Sequence, residues 1–291
     1  MLLVSARLSV SARKLASRLS PRTTAALLSG VVVVLLLANL VGHFALAIDS
    51  IWARLLDVNQ EKNFATAFSV LLLLWCAVLL RQISRLRSRD SFVSHWRSLS
   101  FIFVGMAADE WLLLHERMNA FLDDRFQTSG FLYYDWVIPG SLFVLSVGLI
   151  YARFLRCLPT ATRDRFLFSG GLYVSGALGM EMVSGYYVDR YGLSNRAVLA
   201  LLNGVEESAE MFGLVVFIYA LMIYSRRLHH LAYRAKLHNA KLHRAKIHTA
   251  YIKAKQHALA ELAQAKLTRS KLTQSKLTQS SQPTQTQQQS R

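Results

Sequence analysis

The chain has 291 residues, 53% of them hydrophobic, and a mean hydropathy of +0.28, a composition that excludes an ordinary soluble domain and points to a membrane protein. A formal charge of +17 would suggest a nucleic-acid partner in a soluble protein, but 28 of the 34 Lys and Arg residues lie in alternate loops and termini. That placement is a topology signal and argues against nucleic-acid binding. Only two cysteines are present, Cys76 and Cys157, without motif spacing, so neither a disulfide framework nor a thiolate metal site is expected.

The first 27 residues are rich in Arg, Ser and Leu and contain no acid, which resembles a presequence or a long signal n-region. The apolar run that follows is longer than a signal core usually is, however, and five further runs come after it, so an uncleaved first span is the preferred reading. Six runs approach the roughly 20 apolar residues that a membrane helix needs. They cover about 25–47, 64–80, 98–115, 136–155, 167–185 and 205–224. Basic residues crowd the N-terminus, the segments after spans two and four, and the chain beyond span six. By the positive-inside rule both termini are cytoplasmic. The expected fold is therefore an all-α integral membrane protein, a six-span transmembrane helix bundle with N-in/C-in topology. It divides into a basic segment 1–24, a membrane domain 25–225 and a basic low-complexity tail 226–291.

Span two is apolar apart from its ends and reads as scaffold. Span three ends in Asp109-Glu110-Trp111-Leu112-Leu113-Leu114-His115-Glu116, and ionisable groups at such a depth are costly and usually functional. On a regular helix Asp109 and Glu116 fall within roughly 20° of each other, whereas Glu110 and His115 lie on opposite flanks. A single site made from this segment alone is thus disfavoured. Aromatics at 131–136 suit an interfacial belt, and Asp135 suits a helix start. Span five carries Gly171, Ser175 and Gly179, a small-xxx-small line that lets a neighbouring helix approach. Its one acid is Glu181, between Met180 and Met182. Span six opens with Glu206, Glu207 and Glu210, which fit within an arc of about 100°.

The tail repeats pentads such as Arg234-Ala-Lys-Leu-His238 and Gln264-Ala-Lys-Leu-Thr268. A five-residue period advances about 140° per repeat on a helix and builds no fixed face, so His238, His243 and His248 do not read as a metal tract. The tail is expected to be helical to about Ala265 and disordered beyond it, and to meet anionic lipid headgroups through its charge.

Topology brings the acids together. Spans three and five run outward and carry Asp109, Glu110, Glu116 and Glu181 in their later halves; spans four and six run inward and carry Asp135, Glu206, Glu207 and Glu210 at their beginnings. All eight acids, with His43 and His115, then lie near one leaflet. Like-charge repulsion and burial require relief by bound cations, shared protons or water. Three readings stay open. One is a divalent metal site, for Mn, Fe, Zn or Mg, on Asp109, Glu110, His115, Glu116, Glu181, Glu206, Glu207 and Glu210, in an integral membrane protein that would act as a metal-dependent enzyme. A second is cation or proton translocation. A third is a structural polar network. The Glu-x-x-His pairs of di-iron bundles, the His-Glu-x-x-His motif and a Gly-rich phosphate loop are all absent from the sequence.

The segments Asp109-Glu110 with His115-Glu116, Gly179-Met180-Glu181-Met182, and Glu206-Glu207 with Glu210-Met211-Phe212-Gly213 resemble a group of uncharacterised bacterial multi-pass membrane proteins. The resemblance covers about 101–224. It implies a bacterial inner membrane location and the grouping of the acids, and it names no chemistry.

Overall fold

The computed structural model describes residues 20–45, 63–126 and 128–280. Within these, the side chains of 40–45, 123–126, 258, 260, 263, 265, 267 and 272–280 lie outside the described set, and with them the expectations for His43 and for Asp123 to Arg125. Most of the basic segment 1–24 also lies outside it. The chain divides into two units, Met1–His229 and His230–Arg291.

The elements in the described part of the first unit are all helical, with no strand among the described residues. Helix α1 is Pro21–Ala45, α2 is Phe64–Leu86 and α3 is Val93–Leu112. Helix α4, Leu114–Phe126, follows α3 after a single residue. Helix α5 is Val137–Arg156, α6 is Thr160–Val174 and α7 is Glu181–Tyr191, with a π-helical turn, Ser175–Met180, joining α6 to α7. Helix α8, Arg196–Ser280, begins in this unit. Among the described residues, α1, α2, α5, α8 and the continuous run Thr160–Tyr191 through α6 and α7 are long and apolar enough to cross a membrane, and the bent pair α3 and α4 makes a sixth candidate.

Local chemistry sets the boundaries. The Asn63 side chain accepts from the Thr66 N–H at 2.7 Å and caps α2, as an N-terminal Asn should. Between α2 and α3 the Asp90 carboxylate accepts from the Phe92 N–H at 2.9 Å and pairs with Arg87. Arg87 in turn donates to the Tyr224 hydroxyl at 2.7 Å, which fixes this turn to α8. Span three is not the single helix that the apolar run suggested. It breaks at Leu113, which takes the left-handed conformation (φ 53°, ψ 48°), and the axis turns by 70°. Span five likewise reads as one run but is interrupted by the π turn.

The core lies mainly between α2, α3, α5, α6 and α8. Trp96 is stacked on Tyr224 at 5.3 Å and meets Phe154 edge-on at 4.8 Å, while Phe166 packs on Phe217 at 4.7 Å. Outward faces are apolar as well: Leu71, Leu74 and Val78 on α2 and Leu142, Leu145 and Leu149 on α5 are all exposed. A protein in water rarely tolerates so much exposed hydrocarbon, whereas a bilayer requires it.

In the second unit the helix continues to Ser280, past the point near Ala265 where composition led us to expect order to end. Ala, Lys, Leu and Gln are strong helix formers and supply the local reason. His238, His243 and His248 are exposed along it, and His257 pairs with Glu261 at 3.3 Å.

Burial alone would raise the Asp90 carboxyl, but the Phe92 N–H and the Arg87 guanidinium outweigh it and hold the group below its usual range. A depressed acid contributes stability above its unfolded value, which is lost as pH falls through the folded one. Asp90→Asn is expected to lower Tm at pH 7 by about 2–4 °C, for a lost hydrogen bond of roughly 1 kcal/mol. In detergent-solubilised protein this difference should shrink once the pH drops below about 4.

Candidate functional site

The break at Leu113 places the first part of the site. A leucine in the left-handed region costs on the order of 1–3 kcal/mol, so something must hold it there. Asp109 does so: one carboxylate oxygen accepts from the His115 backbone N–H at 3.0 Å and the other meets His115 Nδ1 at 3.1 Å. The last turn of α3 is thereby tied to the first turn of α4. On a straight helix Glu110 and His115 diverge; across the 70° bend they face one cavity, together with Glu116.

The second part comes from the π turn and α8. Extra residues in a π turn shift the phase of the helix that follows, and here that helix begins with Glu181. The turn lies hard against α8 at Gly176, where a Cβ would stand 2.8 Å from the Glu206 carbonyl oxygen and 2.9 Å from the Glu210 side chain. One turn further along α8, a Cβ on Gly213 would stand 2.8 Å from the Tyr173 nitrogen. These two glycines set the approach of the helices. The small-residue line read from the sequence does not: Gly171 has open space around its Cβ position, and Gly179 meets only Ser175 at 3.9 Å.

Between these elements lies a cavity of about 370 Å³. Six carboxylates line it, Glu110, Glu116, Glu181, Glu206, Glu207 and Glu210, with His115 on the same wall. Of the eight residues singled out by the sequence, seven share this cavity. The eighth, Asp109, stands behind it and acts through His115. Asp135, also noted as an acid at this depth, is buried outside the cavity and accepts a hydrogen bond from Thr128.

Three partners were invisible in the sequence. The Trp136 indole donates to Glu181 Oε1 at 3.1 Å, although belt aromatics gave no hint of a role. Tyr173 donates to Glu210. Ser184, only 4% exposed, lines the cavity with no hydrogen-bond partner for its Oγ. Its one sequence signal is position, three residues after Glu181 and so on the same face. Glu181 and Glu206 are within hydrogen-bonding reach of each other; two carboxyl groups that close are held by a shared proton or a cation. Above them, burial first and then the charge of Glu181 push the Tyr134 phenol up to about 12, so it remains a donor at neutral pH.

The expectation of a divalent metal site is not supported. Among the described residues no three His, Cys, Asp or Glu side chains form a group that could hold a metal ion. The donors are spread around the wall of a cavity instead of converging at metal–oxygen distances near roughly 2 Å.

Beside the polar cavity lies a second one of about 340 Å³, walled mainly by apolar side chains of α3, α5, α6 and α8, with Asp109 and Glu110 also on its lining. Glu110 and Trp136 line both.

Residues 16–225 match the model of a family described as a domain of unknown function, DUF8692. The chain belongs to that family. No curated protein and no solved structure matches it. The match ends beside Tyr224 and takes in both cavities, while the tail from His230 onward lies outside it.

The close contact at Gly176 makes a direct prediction. Gly176→Val should drive a side chain into the Glu206 carbonyl and cost about 1–3 kcal/mol, read as a fall in Tm of several degrees. Gly171→Ala should leave Tm unchanged or slightly raised. Thermal unfolding in detergent measures both.

Proposed function

We propose that this protein is a multi-pass protein of a bacterial inner membrane that binds a cation in its carboxylate-lined cavity. The observation that carries the reading is the wall itself: six carboxylates and one histidine around a single space, with the histidine already engaged by Asp109. Like charges gathered in a low-dielectric region must be relieved, and a cationic ligand is the relief that such a wall is built to accept. The spread of donors favours a cation that keeps its hydration shell, or an organic cation, over a bare metal ion in a tight inner shell.

Alternation of basic loops supports an orientation with both termini in the cytoplasm and the cavity in the outer leaflet. The exposed basic helix beyond His230 suits a surface contact with anionic lipid headgroups. Translocation has less support, because Phe154 and Phe166 on the wall of the apolar cavity pack with Tyr224 around Trp96 in an aromatic cluster at that end. Binding from one side fits that closure better than passage through it.

Calorimetric titration of the full chain in detergent at low salt, with ethylammonium and separately with Mn²⁺, tests the reading. Saturable binding of at least one probe is expected, weakened tenfold or more in Glu181→Gln combined with Glu207→Gln. If neither probe binds wild type, or if the double variant binds equally well, the proposal fails.

A further inference from the structure

We propose that the ligand of this site is an amphiphile with a single ammonium head, whose head occupies the acidic cavity and whose hydrocarbon chain occupies the apolar one. This rests on the cation-binding reading above and assigns it a substrate class.

Four observations carry it. The two cavities adjoin at Glu110 and Trp136, which line both, so a ligand reaching from one to the other would pass beside these two side chains. The apolar cavity, at about 340 Å³, falls within the range of roughly 300–1,000 Å³ typical of small-molecule sites, and its wall includes Ile102, Phe103, Met106, Val147 and Leu178. Two glycines on its lining, Gly148 and Gly170, are exposed with nothing within 4 Å of their Cβ positions, so this apolar space is open at the surface of the bundle and can admit a hydrocarbon chain. Finally, the Ser184 hydroxyl is buried on the acidic wall without a partner. Buried hydroxyls are ordinarily satisfied, and an ammonium N–H would satisfy this one while its charge meets the carboxylates.

The sign of the head follows from the wall. An anionic head would face six carboxylates, and the single basic side chain on that wall, His115, is held by Asp109. A neutral head would leave the acids unrelieved. A permanently methylated ammonium could neutralise charge but offers no N–H to Ser184, which distinguishes a primary or secondary amine from a quaternary one.

The test uses the full-length protein in a maltoside detergent, titrated with ethyl-, hexyl- and decylammonium below their micellar concentrations, with decanol as a neutral control. Affinity should rise with chain length by about three- to fourfold per methylene, the increment expected for hydrocarbon leaving water, and decanol should not reproduce it. Gly148→Phe fills the apolar cavity at an unobstructed position; it should remove the chain-length gain and leave ethylammonium binding as in wild type, and Gly170→Leu provides the same comparison if the first variant is poorly expressed. Because both proteins sit in the same detergent, partition into the micelle cannot produce that difference. Ser184→Ala should weaken decylammonium several-fold without affecting decyltrimethylammonium. Binding of ethylammonium with no gain along the series, or a gain that survives both glycine variants, overturns this inference while leaving the cation site intact. Failure of every cation to bind overturns both.

Discussion

The carboxylate of Asp109 makes two contacts across a break in the backbone, to the nitrogen of His115 at 3.0 Å and to its ring at 3.1 Å. Those contacts hold Leu113 in a conformation that leucine otherwise avoids, and the resulting turn of 70° decides which side chains can meet. Without the bend, His115 and Glu116 would continue along the axis of α3, away from Glu181 and the three acids of α8. A charge that the sequence places deep in a membrane helix is thus used first for architecture, by satisfying a helix start whose N–H groups would otherwise be unpaired.

A second irregularity complements the first. The π turn at Ser175–Met180 interrupts the fifth apolar run at the depth of the acids, and two glycines facing each other's helices, Gly176 and Gly213, let it lie against α8 at backbone distance. Close approach in a bilayer is driven by packing and polar contacts, since lipid is as apolar as any side chain. Here it delivers Glu181 beside Glu206, with the Trp136 indole donating from a third element. Irregular backbone at membrane depth is tolerated where it lines a cavity, and both irregular segments do so.

Much of this was legible from residue order. Hydropathy located the apolar middle of each helix, although α3, α6 and α8 begin at 93, 160 and 196, well before the runs expected from 98, 167 and 205, and α8 continues far past 224; the grouping of the acids was legible as well, and seven of the eight singled-out residues share one wall. What could not be read is phase. A hydropathy run does not disclose a left-handed leucine or a π turn, because neither changes composition; the calculation that separated Glu110 from His115 was correct for a straight helix and failed at the bend. The glycines mislead for a related reason. A four-residue spacing marks a face only if the helix is regular, and the π turn shifts the contact from Gly171 and Gly179 to Gly176. The metal expectation finds no support for a different reason: topology can bring carboxylates to one wall, but convergence within ångströms depends on side-chain placement that no spacing rule supplies.

The two cavities differ in the kind of work that emptiness implies. An acidic wall in a membrane is expensive, and selection against it is relaxed only if something repays the cost of holding the charges there. An apolar recess open to the surface offers the opposite, a place where hydrocarbon gains contacts on several sides. A fold that carries both, touching at Glu110 and Trp136, gains from neither alone. The arrangement becomes favourable when a single molecule brings positive charge to one end and hydrocarbon to the other, and the aromatic packing of Trp96, Phe154, Phe166 and Tyr224 then supplies a floor beyond the hydrocarbon end. The open apolar surface at Gly148 and Gly170 and the unpaired hydroxyl of Ser184 are then two ends of one requirement.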